Sequence, residues 1–210
     1  MRTKAPGDSK EMVAARRAFL NAGYYGIFGQ AAGELCLEYG QPAAPGAALH
    51  LLDAGCGEGW YDRCIAQAFA QAGRPVQLAG FDIAKPAVRL AAKALPAAKY
   101  AVASSFAQPV RTGWADLLLN CFSPFAQEEF RRVLRPGGRL VVSVWGERAR
   151  CGWAGVFGIV DAEVSSEVCP LFCRLGQAGA LARLCSEAGL APVDVHRLRS
   201  TLTYDDGEHA

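Results

Sequence analysis

The chain has 210 residues, 51% of them hydrophobic and 20% charged, with 22 Lys and Arg against 20 Asp and Glu for a formal net charge of +2. That length suits one full-sized domain with a large core and is short for two. Near-balanced charge excludes a disordered tail protein and a polyelectrolyte clamp, while leaving room for a local basic face.

In chain order, Asp8-Ser9-Lys10-Glu11 has capping-box form, and Met12, Val13, Ala15, Phe19 and Leu20 recur on one helical face. Asn21-Ala22-Gly23 ends that helix, and a second spans 27–39. The Pro/Gly-rich loop 40–46 separates a helical cap, 1–45, from a main domain, 46–210. Strands are expected at 48–53, 76–82, 99–103, 114–120 and 139–145, with helices at 61–72, 86–94 and 127–134 and a sharp turn at 135–138. Strands alternating with helices over short connections predict an α/β domain: a mostly parallel sheet with helices on both faces. Beyond Trp145 the pattern weakens. Residues 151–173 lack a period, 178–188 read as a helix, and 193–204 alternate as a strand.

No run approaches the ~18 apolar residues of a membrane span. No apolar core follows Arg2, Lys4 and Lys10, so no secretory signal is expected and the expected compartment is the cytoplasm. The eight cysteines include no CxxC pair, and His50, His196 and His209 are scattered. The cysteines are therefore expected as buried small hydrophobes, with no metal bound. Nothing near Cys121 in sequence would lower its pKa, so it is not expected to act as a nucleophile.

The informative segment is Leu51-Leu52-Asp53-Ala54-Gly55-Cys56-Gly57-Glu58-Gly59. A buried strand ends in an acid, and a glycine loop then opens a helix, so backbone amides can approach a ligand that side chains would exclude. The spacing is not that of the dinucleotide G-x-G-x-x-G loop. Downstream, Gly80-Phe81-Asp82-Ile83 ends the next strand in an acid, and Arg135-Pro136-Gly137-Gly138-Arg139-Leu140 precedes the fifth.

The D-x-G-x-G-x-G loop resembles the cofactor loop of class I methyltransferases dependent on S-adenosylmethionine, which implies a Rossmann-like fold of that class. The resemblance implies that Asp53, Gly55, Gly57, Glu58 and Gly59 lie beside the cofactor. It implies too that Asp82 accepts the ribose hydroxyls, or else caps the next helix. Ser104 and Ser105 fall where the family contacts adenine, though they also read as turn residues. Asn120 would hydrogen-bond the cofactor or the substrate's edge, with the acceptor above Asn120-Cys121-Phe122-Ser123-Pro124.

The likeness narrows further. Gly7-Asp8-Ser9-Lys10-Glu11-Met12, Ala15-Arg16-Arg17-Ala18-Phe19-Leu20-Asn21-Ala22-Gly23-Tyr24-Tyr25, Cys56-Gly57-Glu58-Gly59-Trp60-Tyr61, Val102-Ala103-Ser104-Ser105 and Phe122-Ser123-Pro124-Phe125 are similar to the large-subunit (23S) rRNA guanine-N1 methyltransferases. So is Glu129-Phe130-Arg131-Arg132-Val133-Leu134-Arg135-Pro136-Gly137-Gly138. That family implies methylation of a guanine ring nitrogen in ribosomal RNA, and a cofactor-side role for Tyr25. Two basic stretches suit RNA phosphates: Arg131, Arg132, Arg135, Arg139, Arg148 and Arg150, and Arg2, Lys4, Lys10, Arg16 and Arg17. No residue stands out as the general base.

Two departures accompany the likeness. The family's N-terminal zinc finger has no counterpart here, and the residues after Trp145 look more like quinone-biosynthesis-type small-molecule methyltransferases. Class I folds insert a last, antiparallel strand beside the fifth, and no candidate for it follows Tyr204. A small aromatic or quinone-like acceptor, bound against the apolar run 153–160, is therefore the second enzyme reading. A truncated, non-catalytic cofactor-binding module is the third.

Overall fold

The computed structural model describes residues 6–23, 25–145, 153–161 and 194–200. Helix α1 (Lys10–Asn21) starts where the capping pattern places it: the Ser9 hydroxyl accepts the Met12 amide at 3.2 Å. Helix α2 (Gly26–Tyr39) follows, and Phe28, Ala32, Leu35 and Cys36 are buried along it.

The sheet is built from β1 (Leu49–Ala54), β2 (Val76–Asp82), β3 (Lys99–Val102), β4 (Ala115–Cys121), β5 (Leu134–Trp145), β6 (Trp153–Asp161) and β7 (Asp194–Ser200), ordered β3-β2-β1-β4-β5-β6-β7. The first five strands are parallel. Their connections carry α3 (Trp60–Gln71) after β1, α4 (Lys85–Ala94) after β2 and α5 (Gln127–Val133) after β4.

Both faces are covered, as a near-continuous apolar strand demands. All seven residues of β4 are buried. Leu117 and Leu119 join a core with Leu49, Leu51, Phe28, Ile65 and Phe69 on the α2–α3 side. Leu118 joins Leu52, Phe81, Phe130 and Leu140 on the α5 side.

Two expectations about the far side of the sheet change. The turn at 135–138 is absorbed into β5, with a register shift between Ala115 and Leu117 on β4. Gly137 supplies the left-handed step, φ +70°, and the Arg135 guanidinium grips Asp116, so the chain kinks while staying within pairing reach. The antiparallel position beside β5, for which the sequence after Tyr204 offers no candidate, is filled by residues 153–161 as β6. Those residues include the apolar run expected to line a pocket. β7 lies outside it, antiparallel, within the strand expected at 193–204. The helix expected at 178–188 and the residues after 200 lie outside the described residues.

Candidate functional site

In an open parallel sheet the strand order reverses at one point, and the loops leaving the strands diverge there into a crevice. Here that point lies between β1 and β4. The loop Gly55–Gly59 leaves β1, and the turn 122–124 leaves β4.

The glycine loop is held from below. The Gly55 and Cys56 amides both donate to the Phe81 carbonyl, at 2.9 and 3.0 Å. The Gly57 amide donates to Asp82 Oδ2 at 3.0 Å, and the Ala84 amide to Asp82 Oδ1 at 2.8 Å. Asp82 therefore ties the β1 loop to the start of α4, whose N-cap is Ala84. Gly55, Gly57 and Gly59 all have positive φ, at 86°, 55° and 72°. A side chain on Gly55 would collide with Ser123, whereas one on Gly57 would meet nothing within 4 Å. Gly57 thus exposes backbone to open space. Gly59 serves packing instead, since a Cβ there would crowd Ala91 and the Tyr100 hydroxyl at 3.0 and 3.1 Å.

Above the loop lies a cavity of about 580 Å³. Of the residues singled out in the sequence, Tyr25, Gly55, Gly57, Glu58 and Asp82 border it. Asp53, Gly59, Ser104, Ser105 and Asn120 are not among its lining residues. Asp53 is buried below, beside Asp62. Burial first, and then the Asp62 charge, push its carboxyl well above the usual carboxylate range. Burial likewise raises Asp62 to about 6, against the lowering effect of the Tyr100 hydroxyl that donates to it at 2.8 Å. One oxygen of each acid has no hydrogen-bond partner, so burial favours the neutral, protonated form of these neighbouring carboxyls.

Ser104 makes a turn after β3, its hydroxyl accepting the Phe106 amide at 3.2 Å, and the Ser105 carbonyl accepts from Gln108. Asn120 is buried and braces the neighbouring turn. Its Nδ2 donates to Ser123 Oγ at 2.5 Å, the Ala54 carbonyl at 3.3 Å and the Pro124 carbonyl at 3.4 Å.

Glu58 is 3% exposed, and its carboxylate oxygens make no close hydrogen bond. Arg17 of α1 and Arg63 of α3 approach them at 3.7 and 3.8 Å, linking cap, loop and helix electrostatically. Burial nevertheless raises the Glu58 pKa against the arginines' pull.

Other lining residues lie in the segments that carried the likeness, but apart from Tyr25 they were given no role in the site. Gly7, Asp8 and Arg16 close the cavity from the N-terminal side, Asp8 pairing with Arg16 at 2.6 Å. Ile83 borders it while 41% exposed. Phe19 and Tyr25 meet edge to face, 5.2 Å between centroids. On the β4 side stands Phe122, the one described non-glycine residue with positive φ, at 53°. A bulky side chain there stores roughly 1–2 kcal/mol of backbone strain. The sequence shows an aromatic at 122 but not its dihedral, so this strain carried no signal there.

Three arginines of the first basic stretch already hold groups of this chain, while Arg148 and Arg150 lie outside the described residues. Arg132 bonds Glu129 and the Val110 and Gln108 carbonyls. Arg135 bonds Asp116 and the Gln41 carbonyl, and Arg139 lies over the Tyr39 ring. Arg135 and Arg139 also sit at the amino end of β5, opposite the cavity. Described Cys36, Cys56, Cys64 and Cys121 are free thiols whose pKa burial raises. Among the described residues no group of His, Cys, Asp or Glu is arranged to hold a metal, and no helix is long and apolar enough to cross a membrane.

Residues 52–142 match the family model for a methyltransferase domain. The chain is 38% identical over 141 residues to a 23S rRNA (guanine(748)-N(1))-methyltransferase of Streptomyces fradiae, covering 67% of this chain and 48% of the relative. The chain thus spans about half the length of that curated relative. Among solved structures, a SAM dependent methyltransferase from Aquifex aeolicus superposes with a TM-score of 0.50 at 16% identity, over 75% of this chain and 78% of that one. The [4+2]-cyclase SpnF superposes with a TM-score of 0.50 at 21% identity, over 76% and 57%. These likenesses speak to the fold alone. The match to a methyltransferase domain spans both the glycine loop and the strand-end acid at the reversal point of this Rossmann-like sheet.

Proposed function

We propose that the protein transfers the methyl group of S-adenosylmethionine to a guanine ring nitrogen in ribosomal RNA. The observation that carries the reading is the open cradle at Gly57, tied to Asp82, on the wall of a cavity of about 580 Å³. That volume lies in the range of cofactor pockets. Bound there, the donor supplies a methyl group made electrophilic by its sulfonium.

The chain's own part is positioning. Gly55 and Gly57 let the backbone come close, and each Asp82 oxygen keeps a lone pair for a ribose hydroxyl beyond its amide bond. Exposed Ile83 offers an apolar rest for a flat ring. Tyr25 closes the cap side, and Asp53, Gly59 and Asn120 hold the frame from beneath. Ser104 and Ser105 stand at the carboxyl end of β3, where an adenine edge would reach them. Because displacement is in line, holding donor and acceptor at fixed angle and distance provides most of the rate.

The acceptor reading rests on the relatives, and an rRNA substrate would place the protein in the cytoplasm. Arg16 lines the cavity and Arg17 approaches the lining Glu58, with side chains 49% and 41% exposed on α1. These would meet RNA phosphates. A flat small-molecule acceptor is the second reading, favoured by the aromatic wall of Phe19, Tyr25 and Phe122.

The deciding experiment is labelled methyl transfer to undermodified 23S rRNA beside a panel of small aromatic acceptors, with calorimetric titration of the donor. Label in rRNA guanine supports the proposal. Label only in the small acceptors, or donor binding without transfer to RNA, overturns it.

A further inference from the structure

Phe122 is an aromatic side chain held where glycine would be cheapest. Its φ of 53° lies in the left-handed region, which bulky residues avoid. Hydrogen bonds on both sides hold the backbone there. Its own amide donates to the Ser143 carbonyl at 3.4 Å. On the other side Ser123 Oγ donates to the Ala54 carbonyl and accepts from Asn120, both at 2.5 Å. Asn120 also holds the Pro124 carbonyl. The dihedral is therefore imposed by a network that includes a buried asparagine, and a strained residue so over-determined is a mark of function.

Its location says which. Ser123, the next residue, packs directly on Gly55 of the donor cradle. The ring at 122 is half-buried, resting on the α2–α3 core and bordering the cavity, whose cap side carries Phe19 and Tyr25. It sits in the turn that leaves β4 across the reversal point, beside the residue packed on the cradle, and lines the cavity in which donor and acceptor must meet. Phe122 has no ionisable group and cannot move a proton. What it can offer is a π face.

We infer that Phe122 is the stacking platform for the planar acceptor, orienting a nucleobase extruded from its RNA so that the ring nitrogen faces the donor. This rests on the proposed function for the identity of the base. Stacking of a base on an aromatic side chain predicts a roughly tenfold or greater loss when the π face is removed.

The test compares F122L, which keeps apolar volume and backbone strain, with F122Y, which keeps the ring. Each is assayed in the full chain for methyl transfer, donor affinity and Tm. Expected is a drop of about tenfold or more in kcat/KM for F122L, with donor affinity and Tm near wild type, while F122Y keeps most of the activity. A smaller loss in F122L, or an equal loss in F122Y, overturns the platform. If the wild type methylates only small aromatic acceptors, the RNA reading fails, and the same contrast on those acceptors still decides the platform. Transfer to neither acceptor overturns both.

Discussion

Ser123 occupies the space that a side chain on Gly55 would need, and its hydroxyl donates to the neighbouring Ala54 carbonyl at 2.5 Å. The loops leaving β1 and β4 are thereby locked together at the point where the sheet reverses. Gly55→Ala must adopt φ near +86° and also push Ser123 away. The left-handed backbone alone costs about 1–2 kcal/mol. Urea denaturation of G55A is expected to show at least that loss, and calorimetry a loss of donor binding. Adding Ser123→Gly removes the collision but not the dihedral strain, so it should recover part of the stability. Normal donor affinity in G55A would mean that the loop is not the cradle.

Asp82 has two duties, and they separate experimentally. Its amide bonds to Gly57 and Ala84 hold the loop, and charged hydrogen bonds of that kind contribute about 1.5–3 kcal/mol. Asp82→Ala should lower both stability and donor affinity, the latter by on the order of 10- to 100-fold. A donor lacking the ribose hydroxyls should bind wild type and variant alike. If D82A leaves affinity for the intact donor unchanged, the ribose assignment is wrong.

The Asp53–Asp62 pair makes stability depend on pH in the direction opposite to an ordinary ion pair. Both carboxyls are raised from 3.8 by burial, Asp62 to about 6 and Asp53 well above the usual range. Between the unfolded and folded values the native state holds more protons than the unfolded one, so stability falls as pH rises. The contribution is complete below about pH 4 and is lost through pH 6 and above. Asp53→Asn, which keeps a neutral hydrogen-bonding group, should flatten that slope and gain at least about 1 kcal/mol at pH 8. Parallel urea-midpoint curves for wild type and D53N from pH 5 to 8 would contradict the raised Asp53 pKa.

The arginines of the two basic stretches separate by place, those of α1 beside the cavity and Arg132 away from it. Arg132→Ala removes bonds to Glu129, Val110 and Gln108, so a loss of about 1–3 kcal/mol in stability is expected. Transfer to RNA, measured well below its Tm, should keep its wild-type salt dependence. Glu129, now held at about 2 mainly by Arg132, should return toward its ordinary value. In wild type that depressed pKa adds stability above about pH 4.5, which is lost as pH falls toward 2. Arg16→Ala with Arg17→Ala should instead weaken RNA and reduce the salt slope by up to about two phosphates' worth. A reversed pattern would place the RNA on the other face.

Much of the frame was legible because local chemistry announces it. The Ser9 cap, the buried run of β4 and the strand-end acid of β2 all act within a few residues, and β1 to β4 with α3 to α5 fall within a residue or two of their expected bounds. Long-range partnering was not. Arg135 and Arg139 read as a basic stretch until Asp116, Gln41 and Tyr39 arrive from elsewhere in the chain to hold them. Residues 153–161 lacked a readable period, yet β5 offers an open edge and they pair with it.

Sequence alone determined the order of strands and helices as far as Trp145 and the glycine-rich loop after β1, since glycine spacing and hydrophobic periodicity are local properties. Only the tertiary structure decided which chemistry-bearing residues share a cavity. Burial, the raised pKa values of Asp53 and Asp62, and an imposed dihedral at Phe122 arise from groups distant along the chain packed together, and no spacing along the chain encodes that proximity.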